Sequence, residues 1–344
     1  MEHLTIKDIA RLCETSVSTV SRVLNNHPDV SETMRTKVLE IMRENHFVPN
    51  NSARSLVIRE SDLIAVVVRG LTNPFFSMLI KTMEYAIDAY GYAMALHQIS
   101  SSEDELKAAA QLEREKRLKG IILLGGRFNY SPMEVAAINV PFVCCTYTNT
   151  FGALDETRYS SVAIDDMAEA RRAVEYLIEN GHRKIGALIE RTDGGSISQL
   201  RYEGYIGALE KGRLKPDNSL VACAGSFEMA DAYTATKALL ERSNPTSLFA
   251  ISDSMAIAAI KAAADSGIKV PDQLSIIAID GLEQSKYCVP TLTTLEQPAD
   301  DLARRSVDIL AGLLGAEIEN THVFMETRLR EGGSVIELLK PNDP

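Results

Sequence analysis

The chain has 344 residues and a formal net charge of −11, from 36 basic and 47 acidic side chains. That length accommodates two or three domains with sizeable cores, and the acidic balance argues against a protein that coats nucleic acid over its whole surface. No run is apolar enough to span a membrane, the amino terminus lacks the apolar stretch of a signal peptide, and five cysteines without a C-x-x-C pair suggest neither a disulfide framework nor zinc; a cytoplasmic protein with reduced thiols and no metal or cofactor is expected.

In chain order, Thr5 followed by Asp8 is a helix-start signal, and Ile6, Ile9, Ala10 and Cys13 recur at helical spacing behind it. Ser16 is placed to cap a second helix, with Val20, Val23 and Leu24 on its inner face and Ser18, Ser21 and Arg22 on its outer one. Two short helices joined by a tight turn, the second polar and exposed at its start, form a helix-turn-helix pattern whose outer face suits the major groove of DNA. Ser31 then caps a third helix with Val38, Ile41 and Met42 at core spacing. From Met1 to Glu60 eight basic and eight acidic residues cancel, so the excess of acid lies beyond this head. The DNA-binding reading therefore rests on motif rather than charge.

At residues 47–56 Pro49 stops the third helix and Asn50 is placed to cap a short one, which has too few turns to be stable alone. From Leu63 the composition changes. Apolar runs at Leu63–Val68, Tyr92–Leu96, Gly120–Leu124 and Pro141–Cys145 read as buried parallel strands, alternating with helices such as Phe75–Tyr90 and Glu103–Lys116. A second series follows, with strands at Lys184–Ile189, Ser219–Ala222, Ser247–Ile251 and Ser275–Ile279 and helices at Met167–Asn180, Ser198–Lys211, Ala230–Arg242 and Ser254–Gly267. Two β/α series of similar size imply two doubly wound lobes with a cleft between them.

Ligands of such sheets bind at the carboxyl ends of strands, where Asn73, Tyr147, Asp165, Asp253 and Asp280 stand. Carboxylates suit the hydroxyls of a polyol, and Phe75, Phe76 or Tyr147 could supply an apolar face. Each has a plainer alternative: Asp253 as a helix cap, Phe75 or Phe76 as core, Asp165 as a solvated turn. No phosphate-cradling Gly-Lys-Ser/Thr, dinucleotide fingerprint, nucleophile elbow or metal-spaced histidine pair occurs, so no enzymatic activity is expected. Gly125-Gly126 after a strand is too weak a signal to count.

The head resembles the lactose and galactose repressor family of bacterial transcription regulators. Its opening pattern is close to T-x-x-D-[VI]-A-x-x-A-G-V-S-x-x-T-V-S-R-V-[LI]-N, of which this chain keeps Thr5, Asp8, Ile9, Ala10, Ser16, Thr19, Val20, Ser21, Arg22, Val23, Leu24 and Asn25. Cys13-Glu14-Thr15 replaces Ala-Gly-Val, and since Glu lacks the access of Gly to positive φ a turn that is slightly strained or differently shaped is expected. Met34 stands where the family has Thr near a phosphate. Residues 71–76, 181–185, 201–205, 253–256, 279–280 and 290–298 extend the resemblance over nearly the whole chain.

What the resemblance implies is an all-α helix-turn-helix head (1–49), a hinge helix and linker (50–61), and an α/β two-lobed body (62–344) like the periplasmic binding proteins. The N-lobe is expected at about 62–160 plus 291–323 and the C-lobe at about 161–290 plus 324–344. Thr5, Ser16, Val17, Ser18, Thr19, Ser21, Arg22 and Asn25 would meet DNA, with Val17 and Ser18 setting the operator sequence. Asn50, Ala53 and Leu56 would act in the hinge, Leu56 as a wedge in the minor groove. Arg201 matches the family's effector-contacting arginine. The expected protein is a homodimeric repressor of a pseudo-palindromic operator, controlled by a small sugar or sugar derivative; a purine-type effector or, from another class, a solute-binding receptor are the alternatives.

Overall fold

The computed structural model describes residues 4–24, 29–45, 47, 62–70, 73–100 and 103–338. Asn25, Asn50, Ala53 and Leu56, and with them the expected hinge helix, lie outside the described residues. The chain divides into two compact units, Met1–Ser61 and Asp62–Pro344.

The described residues of the first unit form the helices α1 (Ile6–Leu12), α2 (Val17–Leu24) and α3 (Glu32–Glu44). Asp8 explains where α1 begins: its carboxylate accepts the Thr5 backbone N–H at 2.9 Å and the Thr5 hydroxyl at 2.6 Å, tying down the first turn. Ser31 caps α3 by accepting the Met34 N–H at 3.4 Å. The apolar faces of all three helices close on Ile9, Ala10, Cys13, Val20, Val23, Val38 and Met42, with Met34 packed at the edge of this cluster.

The second unit is built on two six-stranded sheets. The N-terminal sheet holds β1 (Leu63–Arg69), β2 (Ala93–Ile99), β3 (Gly120–Leu124), β4 (Phe142–Cys145), β5 (Ser160–Ala163) and β11 (His322–Phe324), in spatial order β2-β1-β3-β4-β5-β11. The C-terminal sheet holds β6 (Ile185–Ile189), β7 (Val221–Cys223), β8 (Ser247–Ala250), β9 (Ser275–Asp280), β10 (Thr293–Glu296) and β12 (Arg328–Arg330), in order β7-β6-β8-β9-β10-β12. The two orders are the same doubly wound pattern, each with its switch point beside its first strand, between β1 and β3 and between β6 and β8. Every pairing is parallel except that of β12 with β10, where Leu295 faces Leu329 in antiparallel register.

Successive residues of the N-terminal strands feed separate cores. Ala65, Val67, Ile121, Leu123, Phe142 and Cys144 enter one cluster, while Ile64, Val66, Val68, Ile122, Leu124, Val143 and Cys145 enter the other. That two-residue alternation with both faces covered is why these strands read as unbroken apolar runs. Helices α4 (Pro74–Ala89) and α11 (Ala299–Leu314) pack together and supply Leu79, Met83, Ile87, Leu302 and Leu310 to the second cluster; α5 (Glu105–Lys116) supplies Leu106 and Leu112 to the first. A short helix, α6 (Pro132–Val135), follows β3. In the C-lobe α7 (Asp166–Glu179) pairs with α8 (Ile197–Lys211), and α9 (Met229–Arg242) with α10 (Asp253–Asp265), around one core.

Two strands fall on the other side of the expected lobe boundaries. Ser160–Ala163, expected to open the C-lobe from residue 161, is β5 of the N-terminal sheet, paired on one side with β4 and on the other with β11. Thr293–Glu296, expected in the N-lobe with 291–323, is β10 of the C-terminal sheet, with Thr293 beside Ile277 of β9. Both are four-residue strands carrying Ser or Thr, so neither has the long apolar run of central strands such as β1 and β3.

Candidate functional site: a DNA-reading head and an interlobe cleft

In the head, α1 ends with the Glu14 N–H on the Arg11 carbonyl at 3.1 Å and the Thr15 N–H on the Ala10 carbonyl at 2.9 Å. This double closure needs a left-handed residue at its centre, and Glu14 occupies it at φ 55°, as its replacement of Gly led us to expect. The turn is kept, at the cost of a side chain where Gly is favoured. Its carboxylate lies 3.7 Å from Lys37 Nζ on α3, an exposed pair worth little.

Two residues on, Ser16 Oγ accepts the Thr19 N–H at 3.1 Å and contacts the Ser18 and Thr19 hydroxyls at 2.7 and 2.9 Å. Val20 and Val23 point into the core, and the helical period leaves Val17, Ser18, Ser21 and Arg22 on one outward face. Val17, Ser18 and Arg22 are exposed and Ser21 and Thr19 half-buried, while Thr5 is exposed at the start of α1. Met34, by contrast, is partly buried against the head core.

The body assembles its polar groups at the carboxyl ends of strands in both sheets. On the C-lobe side Arg201 of α8 is 2% exposed. Its Nε and Nη2 donate to Asp166 Oδ1 at 2.9 and 2.8 Å, its Nη1 donates to the Ile251 carbonyl, and Asp280 Oδ1 lies 3.7 Å from Nη1. Asp280, the last residue of β9, also accepts from Gln297 Nε2 at 2.9 Å, and its other oxygen, Oδ2, is buried without a hydrogen-bond partner among the described residues. Its backbone is at φ 145°, a conformation L residues rarely adopt and one typical of ligand clamps. Asp253 accepts the Leu282 N–H at 2.8 Å and the Thr294 hydroxyl at 2.6 Å. Burial pushes the Asp166 carboxyl up to about 6 against the pull of Arg201, and that of Asp280 up to about 7, with Asp253 and Asp166 adding repulsion. Asp253 is raised too, chiefly by burial.

On the N-lobe side the centre is Glu105, the first residue of α5 and 1% exposed. Its Oε1 accepts the Tyr130 hydroxyl at 2.5 Å and the Arg127 N–H at 2.6 Å, and Arg69 Nη1 lies 3.4 Å from Oε2. Tyr147 is buried and meets the Tyr130 hydroxyl at 2.8 Å. Gly126 is required here, because a Cβ would stand 2.3 Å from the Tyr147 hydroxyl and 2.4 Å from that of Tyr130. The lobes meet around this region: Leu200, adjacent to Arg201, shares a core cluster with Tyr147 and Phe128, and a Cβ on Gly195 would lie 3.6 Å from Asn129 Cβ and Phe151 Cβ.

Of the residues expected to hold a ligand, the fold therefore brings together Arg201, Asp280 and Asp253, with Tyr147 on the facing lobe. Asn73 spends its side chain accepting the Phe75 N–H at 3.0 Å as the cap of α4. Phe75 is a core residue, packed with Leu79 and Leu282 rather than lining a cavity; Phe76 is half-buried against Gly125. Asp165 is exposed and caps α7 through the Ala168 N–H at 3.0 Å, so the carboxylate that pairs with Arg201 is its neighbour Asp166. The sequence reading missed Asp166 and the Glu105–Arg127–Tyr130 group. The Asp165-Asp166 pair was the available signal: the first of two acids at a helix start serves as cap, leaving the second to face inward.

Among the described residues there is no cluster of metal-ligating side chains and no helix long and apolar enough to cross a membrane.

Residues 5–50 match the lacI family of bacterial regulatory proteins, and residues 174–335 match the periplasmic binding protein-like domain. The HTH-type transcriptional regulator MalR of Clostridium butyricum is 41% identical over 334 residues, spanning 96% of this chain and 99% of that one. The chain belongs to the lacI family of transcription regulators. A second relative of this lacI-family member, the ribose operon repressor of Halalkalibacterium halodurans, is 34% identical over 89% of both chains. Among solved structures, the complex of the transcriptional regulator CelR with cellobiose superposes with a TM-score of 0.70 at 26% identity, over 96% of this chain and 99% of that one. The protein is a sequence-specific DNA-binding regulator with a helix-turn-helix head and a periplasmic-binding-protein-like body.

Proposed function

We propose that the protein is a cytoplasmic, non-catalytic repressor that reads a pseudo-palindromic operator as a homodimer and is controlled by a small sugar held between its lobes. Val17, Ser18, Ser21 and Arg22 would enter the major groove from each protomer, Thr5, Ser16, Thr19 and Asn25 would anchor the backbone, and Asn50, Ala53 and Leu56 would act at the operator centre. The effector would bind among Arg201, Asp166, Asp280 and Asp253 on one lobe and Tyr147 on the other, with Asn73, Phe76 and Asp165 at the margins. Phe75 drops out of this set because it is core. The observation that carries the effector reading is the buried Arg201–Asp166–Asp280 cluster at the carboxyl end of β9, with an oxygen that lacks a donor among the described residues. Support for a sugar comes from the CelR–cellobiose complex and from the ribose operon repressor among the relatives.

A ligand alters DNA binding only by its differential affinity for the two arrangements of the lobes. The test is selection of duplexes from a randomised pool by the full-length protein, followed by titration of the selected duplex with and without sugars that raise its melting temperature. Enrichment of a two-fold symmetric sequence and release by one sugar are expected. Failure to enrich any sequence would remove the operator reading, and a bound sugar that leaves DNA affinity unchanged would remove the effector reading.

A further inference from the structure

Two leucines of the C-lobe end in the cores of the N-lobe. Leu200 of α8, 6% exposed, belongs to the cluster of Phe128, Tyr130 and Tyr147, with Ile197 and Met167 packed beside it. Leu282, 1% exposed, belongs instead to the cluster of Phe75, Leu79 and Leu302. These clusters lie on opposite faces of the N-terminal sheet, because alternate residues of its strands feed them. The C-lobe thus sets one leucine against each face of the other lobe's sheet. Both are close in sequence to the buried ion cluster: Leu200 precedes Arg201, Leu282 follows Asp280 by two residues, and Arg201 Nη1 and Asp280 Oδ1 are 3.7 Å apart.

Both leucines are also fixed to their own lobe. Leu200 is part of α8, whose first turn Ser196 caps by accepting the Gln199 N–H at 3.4 Å. The Leu282 N–H donates to Asp253 Oδ2 at 2.8 Å, and its carbonyl accepts the Ser285 hydroxyl at 2.6 Å; Arg330 Nη2 from β12 donates in turn to that hydroxyl. Gly281 makes this placement possible. It lies at φ 80°, and a Cβ on it would stand 2.4 Å from Glu296 Cγ and 2.8 Å from Glu296 Cα, so the chain passes over β10 more closely than a side chain allows.

We propose that Leu200 and Leu282 are the two prongs of a clasp that holds the lobes against each other in the ligand-free protein, with the Arg201–Asp280 contact as the bridge between them. Opening the lobes draws both side chains out of close-packed cores into water, which is costly for a leucine. Each prong guards one face of the sheet, so losing either leaves the lobe free to swing on that side. The clasp stands whether or not the cleft takes a sugar. Where it does, a ligand that parts Arg201 from Asp280 also spreads the prongs, and so biases the arrangement of the lobes.

The experiment measures the distance between the lobes by double electron–electron resonance in the full-length protein. Spin labels are placed at two exposed positions, Met133→Cys on the N-lobe and Glu210→Cys on the C-lobe, with Cys223→Ser and Cys288→Ser removing the thiols that are not buried. Labelled chains are diluted into unlabelled protein so that distances within one chain are read, with no ligand or DNA added. In Leu200→Ala and in Leu282→Ala a longer distance is expected, the ratio of open to closed populations rising at least about tenfold. Leu79→Ala is the control: Leu79 is fully buried in the same cluster as Leu282 but is rooted in α4 of the N-lobe itself, so its loss should weaken that core and leave the distance as in native protein. Leu200→Val and Leu282→Val, which shorten each prong by one carbon, carry the test if an alanine variant does not fold, with a smaller shift in the same direction expected. An unchanged distance in either prong variant overturns the two-pronged clasp. An equal change in Leu79→Ala overturns it too, since the distance would then report only a loosened core. Neither result touches the effector or operator reading, because neither ligand nor DNA is present.

Discussion

Arg201 and Asp166 meet inside the C-lobe with both exposed to 4% or less, the guanidinium placing two nitrogens on one carboxylate oxygen at 2.8 and 2.9 Å. A buried pair of this kind is not itself a large source of stability, because two desolvation costs offset the attraction. Removing one partner is another matter. Arg201→Ala leaves Asp166 and Asp280 buried without a cation and the Ile251 carbonyl without a donor, and is expected to cost the body about 3–5 kcal/mol. Urea unfolding followed by far-UV circular dichroism measures this; a loss under 1 kcal/mol would mean that water reaches the cluster and that Arg201 is available to a ligand alone.

The same cluster sets a pH dependence. Asp166 and Asp280 have values raised to about 6 and about 7 by burial, above the unfolded carboxylate value of roughly 3.9. The folded state therefore binds more protons than the unfolded state between pH 4 and 7, and stability from these groups falls as pH rises through that window. The ligand-free body should melt at a higher temperature at pH 5.5 than at pH 7.5. Asp280→Asn should flatten that slope, and a melting temperature that rises with pH in both proteins would contradict it.

How much of this was legible in the sequence depended on how far apart the cooperating residues lie. The head was readable almost entirely, since its signals are local: Asp8 three residues after Thr5, Ser31 three before Met34, and Glu14 where a helix must turn. The central strands were readable because burial on both faces leaves an apolar run no other element imitates. β5, β10, β11 and β12 were not, being three or four residues long with Ser, Thr, His or Arg in them, so that their partners rather than their composition make them strands. In the cleft, Arg201 came from the family resemblance and Asp280 from its place at the end of a strand, but Glu105 gave no signal, because its partners Arg69, Tyr130 and Arg127 lie more than twenty residues away in sequence. Phe75 misled for the reverse reason: an aromatic residue just after a strand fits a pocket wall and a core equally well until the helix carrying it is placed.

Gly126 offers a test of the N-lobe half of the cleft. A Cβ there meets the Tyr147 ring carbon Cζ at 2.4 Å as well as both phenol oxygens, so the tyrosines must move and the Tyr130 to Glu105 bond at 2.5 Å must lengthen or break. Gly126→Ala is expected to destabilise the body by about 1–3 kcal/mol, as for other overpacked sites, and to weaken effector binding while leaving operator affinity without effector unchanged. A variant as stable as the native protein would place these side chains in a more yielding environment than the geometry indicates.

On the reading helix, Val17 is 40% exposed although it is apolar, and Ser18 stands beside it on the surface. Neither contributes to the head core, so exchanging them should leave folding intact. Replacing Val17 and Ser18 together by Tyr and Gln is expected to change which bases are enriched in a duplex selection, each altered base contact being worth about 1–3 kcal/mol. Arg22→Ala, on the same major-groove face, should weaken binding to the selected duplex and relax the preference at the base pair it meets, a cost of about 1–3 kcal/mol. An unchanged selected sequence for the double variant would remove these two residues from base recognition.

Glu14 gives the sharpest prediction about the head, because its backbone and side chain work in opposite directions. At φ 55° an L side chain costs about 1–2 kcal/mol relative to glycine, while glycine forfeits about 0.4–1 kcal/mol through the entropy of its unfolded chain. The ion pair to Lys37 adds little on the other side, since Glu14 is 87% exposed. Glu14→Gly is therefore expected to stabilise the head by about 0.5–1 kcal/mol, read as slower amide hydrogen exchange in α1 and α2 of the full-length protein with the body unchanged. Glu14→Ala separates the two contributions: it removes the carboxylate and keeps the strained Cβ, so it should leave exchange as it is. If alanine and glycine protect the head equally, the cost lies in the charge of Glu14 rather than in the left-handed turn it is made to occupy.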